Sequence, residues 1–187
     1  MIKKTIIHLL SGGLDSVTLL YDLRQQGHSV HCLLCDYKQQ HVQELTFAIT
    51  HCHRLGVLFT TVELPSLRGL TDESWVVPHR NAVLLSLSVN LAVHAKADTV
   101  TIGCNADDAD MFPDCRPAFI AAMNAATQSA GYDIEICAPY IDWPKWRIGG
   151  LAREMGIKMH ELWSCYRGGA EPCGKCPACI KLQSAIA

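Results

Sequence analysis

No apolar run in this chain of 187 residues approaches the ~20 that a membrane helix needs, so no membrane span is expected. Charge of one sign is missing too. Sixteen Lys and Arg stand against eighteen Asp and Glu, a net charge of -2, which disfavours a broad electrostatic grip on nucleic acid. There is no G-x-x-x-x-G-K-[ST] loop and no third glycine to complete a dinucleotide fingerprint. Internal repeats and low-complexity tracts are absent. The opening "MIKKTIIHLLSGG" has a basic end and an apolar run, yet no small-residue cleavage site follows. A cytoplasmic protein is expected (in a host's cytoplasm if phage-encoded).

Cysteine, by contrast, is plentiful. Of the ten cysteines, six are scattered singly: Cys32, Cys35, Cys52, Cys104, Cys115 and Cys137. Most of these sit in apolar runs, where a thiol behaves as a small hydrophobe. The other four crowd into the last 23 residues. That asymmetry points to a reducing compartment and one metal site rather than a disulfide framework.

Strand-like and helix-like runs alternate along the chain. "TIIHLL", "SVHCLLC", "VLFTTVEL", "DTVTIGC" and "DIEICAP" read as strands. Between them, helices are expected from Asp15 to Gly27, His41 to Gly56, Asn81 to Ala97 and Arg116 to Gly131, with a last one from Trp143 to Gly156. In the second helix, Val42, Leu45, Ile49 and Cys52 fall at helical spacing. The third is nearly all apolar, which predicts burial over much of its surface. Pro65 to Arg80 reads as a loop with a turn of helix. The pattern predicts one α/β domain over 1–187: a doubly wound, mainly parallel five-stranded sheet.

"LLSGGLDSVTLL", from Leu9 to Leu20, interrupts the first strand with a hydroxyl and two glycines before a helix begins. Glycines let backbone N–H groups approach an anion, and the helix N-terminus adds partial positive charge. Ser11 and Ser16 can donate to phosphate oxygens. Asp15 fits an anion site once Mg²⁺ accompanies the phosphate. The plain alternative is a tight strand-to-helix turn with no ligand. Near the other end, "CYRGGAEPCGKCPAC" spaces Cys165, Cys173, Cys176 and Cys179 as C-x7-C-x2-C-x2-C. Four thiolates satisfy tetrahedral Zn²⁺ and leave no open position, as in a structural knuckle over 163–180. An iron–sulfur cluster and a set of free thiols are the alternatives. With few residues beyond it, the knuckle is expected to pin the C-terminal end against the sheet.

"SGGLDS" resembles the PP-loop of the ATP pyrophosphatases, which activate an oxygen as an adenylate and release pyrophosphate. The resemblance implies an adenine nucleotide alpha hydrolase-like fold and an ATP-binding loop of Ser11, Gly12, Gly13, Leu14, Asp15 and Ser16. Further segments narrow it: "DYKQQHVQEL", "VPHRN", "IGCNADDADMFPDCRPAFI", "PYIDWPKWRI" and "WSCY" with the knuckle. Together they resemble the 7-cyano-7-deazaguanine synthase family over most of the chain. That family adenylates the carboxylate of 7-carboxy-7-deazaguanine, adds ammonia to give an amide, and dehydrates the amide to a nitrile. The resemblance implies a carbon–nitrogen ligase using ATP, Mg²⁺ and Zn²⁺ in the queuosine pathway, as a homodimer.

Within that reading Asp15, Arg80 and Lys145 are the catalytic candidates, the two cations facing phosphate or the charge of the adenylate. Asp142 is expected to cap the helix that starts near Lys145. Asp108 and Asp114 are candidates for reading the donor edge of the deazaguanine, and Arg116 for meeting its carboxylate, with Asn81 beside Arg80. Each has a plainer alternative: a surface ion pair for Arg80, a solvated lysine for Lys145, an N-cap for Asp114. Cys115 is read as packing, since ATP does the activation. His41, His51 and His53 are read as surface or core histidines of one helix. Trp143, Trp146 and Trp163 are candidates for stacking on a purine-like ring.

Lys38 and His79 stand where the family usually has glycine, and Asp110-Met111-Phe112 where Ser-Gly-Tyr is common. These departures bear on which deazapurine is taken and on whether the product is nitrile or amide. Two rival readings are a variant PP-loop ligase, stopping at the amide or acting on another deazapurine or a macromolecular acceptor, and a zinc-stabilised module without catalysis.

Overall fold

The computed structural model describes residues 3–65, 67 and 76–186. Most of the loop expected from Pro65 to Arg80 therefore lies outside the described residues. Five strands form one parallel sheet: β1 (Thr5–Leu9), β2 (Ser29–Asp36), β3 (Leu58–Glu63), β4 (Thr99–Ile102) and β5 (Glu135–Cys137). Their order is β3-β2-β1-β4-β5. The chain works outward from β1 to one edge, then crosses back to β4 on the other side. The direction therefore reverses between β1 and β4, where doubly wound sheets leave a crevice.

Each strand sends alternate side chains to opposite faces. Ile6, Cys32 and Leu34 pack on one face with α1 (Leu14–Gln25) and α2 (Glu44–Leu55). Ile7, Leu33 and Val100 pack on the other with α3 (Arg80–Ala95) and α4 (Pro117–Ser129). In both layers each wholly buried Leu or Ile contributes about 2 kcal/mol. Helix stops follow the sequence signals: Gly27 and Gly56 take φ of 86° and 59° just beyond α1 and α2. Pro117 occupies the first turn of α4.

Several expectations need correction. The second helix begins at Glu44, not His41, because residues 41–43 form turns. Val42 is 41% exposed and belongs to no helical stripe. Only one face of α3 is buried, through Leu84, Leu85, Ser88 and Ala92, while Val83 and Val93 face solvent. A single layer above a sheet can cover only one side of a helix, whatever its composition. Asp142 does not cap α5 (Lys145–Glu154); the Lys145 N–H donates instead to Asp107 Oδ2 at 2.9 Å, from the turn after β4.

The expected last helix is not the last. A sixth, α6 (Pro177–Ile186), starts inside the cysteine spacing, with Cys179 in its first turn. It packs against α5 rather than the sheet, so the knuckle is pinned to a helix. The contact is backbone-close at Gly149, where an added Cβ would collide with the Ala185 carbonyl. Beside it, Gly150 has nothing within 4 Å of the same position.

These neighbours make a matched pair. Gly149→Ala should destabilise the protein by about 1–3 kcal/mol by forcing the helices apart. Gly150→Ala should instead gain about 0.5–1 kcal/mol, from helix propensity alone. Urea midpoints of the two variants, compared with the parent, measure both. A Gly149→Ala protein as stable as the parent would show that the helices do not press together there.

Candidate active site

A cavity of about 210 Å³ opens at the strand ends beside the switch point. The bend after β1 forms its floor. Ser11 Oγ and Ser16 Oγ lie 3.1 Å apart across the bend, and the Gly13 N–H donates to Ser11 Oγ at 3.3 Å. Gly12 has φ of 89°, and a Cβ there would meet the Glu44 carbonyl. Its own carbonyl accepts the Trp163 N–H at 3.0 Å, so the tail braces the bend from below. The result is a short, glycine-bared loop feeding α1, with Asp15 in the first turn.

Asp15 and Lys145 meet on one wall at 2.8 Å, each side chain only 14% exposed. Burial raises the Asp15 pKa, and Lys145 opposes that rise. Burial alone would lower the Lys145 pKa, but the Asp15 and Asp108 carboxylates outweigh it and hold the lysine charged. Asp15 Oδ1 is buried without a hydrogen-bond partner. An orphaned carboxylate oxygen beside a phosphate-shaped loop fits a Mg²⁺ ligand, since Mg²⁺ in nucleotide sites uses one or two carboxylates with the phosphates.

The opposite wall is built from the ends of β2, α2 and α3. Arg80 Nη1 donates to the Tyr37 hydroxyl at 3.0 Å, with the guanidinium 5.6 Å from the ring centre. Gln39 Nε2 donates to Glu44 Oε1 at 3.0 Å, and His41 Nε2 lies 3.6 Å from the same oxygen. Burial pushes the Glu44 carboxyl up to about 7, against the Gln39 bond and Arg80. Burial and Arg80 push His41 down to about 4, so its ring is neutral.

The sequence-predicted residues divide cleanly. Ser11, Gly13, Leu14, Asp15 and Ser16 line the cavity, as do Arg80, Asn81, Asp108 and Lys145. Gly12 shapes the bend from beneath. Asp114 and Arg116 do not line it. Asp114 accepts the Asn81 N–H at 2.9 Å and so caps α3, while Arg116 Nε donates to the Ala109 carbonyl at 2.8 Å. Asn81 Nδ2 reaches back to the Asp114 carbonyl and to Cys115 Sγ, at 3.0 and 3.3 Å. Cys115 and Cys104 also line the cavity, buried against each other, and their contact holds the Cys104 thiol well above its usual pKa, which suits packing.

Of the tryptophans, Trp163 lines the cavity but is 3% exposed, its Nε1–H spent on the Cys165 carbonyl. Trp143 stacks on Tyr140 and under Arg147, and Trp146 is 67% exposed. His51 bonds Tyr21 and the Glu161 carbonyl. His41, expected on the helix with it, instead lies in the preceding turn and faces the cavity.

Sequence reasoning missed Glu44, which reads as an ordinary helix-start acid, and also missed His8. Its ring is wholly buried between β1 and β4, with Nε2 2.9 Å from the Ser16 carbonyl and Nδ1 2.9 Å from Thr101 Oγ1. A carbonyl only accepts, so Nε2 carries the proton and Nδ1 accepts from threonine. Burial pushes the His8 pKa down to about 4. A histidine within an apolar strand gives no sequence signal of this role.

At the C-terminal end, the sulfurs of Cys165, Cys173, Cys176 and Cys179 all lie within 4.8 Å of one another. The backbone N–H groups of Lys175 and Cys176 help draw the Cys173 thiol down to about 6, toward the thiolate a metal needs. This cluster can bind a metal.

A model of the family described as queuosine biosynthesis protein QueC matches residues 5–76 and 70–187. The chain belongs to the QueC family. A 7-cyano-7-deazaguanine synthase of Pseudoalteromonas translucida is 38% identical over 96% of this chain and 91% of its own length. One from Caldicellulosiruptor bescii is also 38% identical, over 92% and 88%. QueC membership makes the protein a ligase-type enzyme of the queuosine pathway. Solved structures share the fold at lower identity. An NMN synthetase from Francisella tularensis matches at TM-score 0.61 and 13% identity, over 98% of this chain and 84% of that one. A U34-tRNA thiolase from Methanococcus maripaludis, with its [4Fe-4S] cluster, matches at TM-score 0.55 and 15% identity, over 97% and 63%. The fold of this QueC chain is thus shared with these structural neighbours.

The neutral, buried His8 of this QueC chain makes stability depend on acid. Its folded pKa near 4 lies below the usual 6.5, so the unfolded chain takes the proton first. The contribution is complete above pH 6.5 and is lost as pH falls towards 4. His8→Gln should flatten that slope in urea titrations between those limits. An unchanged slope in the variant would mean that the ring does not titrate as its burial requires.

Proposed function

We propose that the protein converts 7-carboxy-7-deazaguanine and ammonia to 7-cyano-7-deazaguanine, consuming ATP in two adenylations. The observation that carries this reading is the Asp15–Lys145 pair beside the Ser11–Ser16 bend, within a chain of the QueC family. In the first step the substrate carboxylate attacks the α-phosphorus and pyrophosphate leaves. Ammonia then displaces AMP from the acyl carbon, giving the amide and one proton. A second adenylation, on the amide oxygen, lets AMP leave while nitrogen sheds its remaining protons.

In this scheme the bend holds the pyrophosphate through its backbone N–H groups and the Ser11 and Ser16 hydroxyls. Lys145 and Arg80 face the charge that builds on phosphorus and on the departing oxygens. Asp15 would hold Mg²⁺ through its unpartnered oxygen; that ion supplies charge neutralisation between the phosphates. Asp108 lines the cavity and reads the donor edge of the base. Asp114 and Arg116, already engaged with α3 and the Ala109 carbonyl, support the pocket from outside. Of Asp110, Met111 and Phe112, only Phe112 lines the cavity, so the departure from the family bears on the ring pocket through one aromatic. We further propose a single domain over 1–187, acting as a homodimer in the cytoplasm, on the strength of the family resemblance and the reduced-thiol composition.

Incubation with ATP, Mg²⁺, ammonia and 7-carboxy-7-deazaguanine should yield the nitrile by mass analysis. Amide alone would support the variant ligase, and an acid left unconsumed would sink the proposal. Asp15→Asn keeps the shape of the wall and should lower pyrophosphate release at least a hundredfold, with thermal unfolding little changed. Retained turnover would remove Asp15 from metal binding.

For the knuckle we propose Zn²⁺, held by Cys165, Cys173, Cys176 and Cys179. A tetrahedral ion with bonds of about 2.3 Å puts its sulfurs about 3.8 Å apart, within the spread seen here. A four-iron cluster needs them farther apart. Purified protein should contain one zinc per chain, and chelation should lower the melting temperature at chelator levels that leave Mg²⁺-dependent turnover intact at low temperature. Metal-free protein melting at the parent temperature would refute the structural role.

A further inference from the structure

We propose that Glu44 accepts the protons that nitrogen gives up, first as ammonia adds to the adenylated carboxyl carbon and again as the amide becomes a nitrile. The inference rests on the function proposed above. In the first event, the nitrogen lone pair forms the C–N bond, the C–O bond to AMP breaks, and an N–H proton passes to the Glu44 carboxylate. In the second, AMP leaves the adenylated amide carbon as the last N–H bond breaks, and its electron pair completes the C≡N bond. The middle proton leaves the cationic nitrogen for water once the amide oxygen is adenylated; the Glu44 carboxyl, having returned its first proton to water before this second event, takes the last one.

Geometry singles out this residue. The Glu44 side chain is 12% exposed and lines the cavity opposite the Asp15–Lys145 pair. Its backbone carbonyl rests against Gly12, which ties it to the floor that would hold the nucleotide. Both the Gln39 hydrogen bond and the His41 approach fall on Oε1. Oε2 takes no hydrogen bond from any described residue, so one carboxylate oxygen remains for a substrate proton.

Other groups on the cavity are committed or unsuited. Asp15 is held by Lys145 at 2.8 Å. Asp108 accepts from Asn105 at 2.7 Å and lies 3.5 Å from Lys181. Lys145 and Arg80 are held as cations, and the Tyr37 phenol, raised to about 12 chiefly by burial, is no base near neutrality. His41 faces Glu44 in its neutral form, with Arg80 nearby to resist a second charge. Tyr166 packs against His41 at 6.0 Å between ring centres and closes that side. A carboxyl with a pKa near 7 is well matched to proton transfer at neutral pH.

Glu44→Gln preserves shape and the Gln39 contact but removes the base. Two rates separate the steps: exchange of labelled pyrophosphate into ATP, which needs the deazaguanine acid but no ammonia, and amide formation at fixed ammonia. In Glu44→Gln the exchange should persist while amide formation falls about a hundredfold or more. The acid limb of amide formation near pH 7 in the parent should vanish in Glu44→Gln and survive, at a reduced rate, in Glu44→Asp. Unchanged amide formation in Glu44→Gln overturns the proposal, as does loss of exchange to the same degree in both variants. Parent protein that exchanges no pyrophosphate with this acid overturns the underlying function, and Glu44's role with it.

Discussion

Gly12 is the close approach on which the site depends. It has a positive φ, leaves no room for a Cβ beside the Glu44 carbonyl, and bonds the Trp163 N–H through its own carbonyl. Three parts of the chain remote in sequence therefore meet at one residue that has no side chain. The end of β1 supplies the loop, the start of α2 supplies the wall with Glu44, and the segment leading into the cysteine cluster supplies the brace. A Cβ at this position would push all three apart. The knuckle thereby acquires a role beyond fastening a terminus: only Ser164 separates Trp163 from Cys165, and whatever orders the cysteines orders the underside of the Ser11–Ser16 bend.

Around this tight point the cavity carries more buried charge than a stable fold needs. Burying charged groups costs free energy that pairing only partly returns. Arg80, Glu44, Asp15 and Lys145 are not spread evenly. One wall holds a close ion pair with an orphaned oxygen, and the other holds a cation beside a carboxyl that burial keeps close to neutral. The two walls therefore suit different tasks. In the proposed reaction the paired wall would present fixed charge to a polyphosphate. The other presents a carboxyl that exchanges its proton near neutrality, which is what a reaction shedding protons from nitrogen requires.

The sheet was legible because its information is local. Five apolar runs separated by helical periods specify parallel strands, and Ser11 to Ser16 marks the bend by composition alone. What escaped is non-local. Asp107 caps α5 from 38 residues away, where Asp142 stood in the expected place. Asp114 caps α3 rather than the helix it precedes. Helix α6 was hidden because its first turn is also the cysteine motif, and a metal signal masks a helical one. Glu44 and His8 look ordinary until tertiary packing decides which oxygen is left over and which carbonyl is met.

The two departures from glycine have a common physical reading. Lys38 and His79 both adopt φ of 61°, a conformation suited to the glycine that the resemblance leads one to expect there. Both residues hold a backbone shape that glycine adopts without strain, at a cost of about 1 kcal/mol per site. Surrounding contacts compensate: the Lys38 N–H donates to Asp36 Oδ1 at 2.8 Å, and the His79 ring meets Phe119 edge-on at 5.6 Å. Tyr37 and Arg80, the immediate neighbours of these residues, remain bonded to each other at 3.0 Å. The positive-φ backbone at these positions is therefore part of the path that delivers Arg80 and Tyr37 to the cavity. A chain that tolerates strain to hold two side chains in register is one in which their position, more than the glycines themselves, is the constraint.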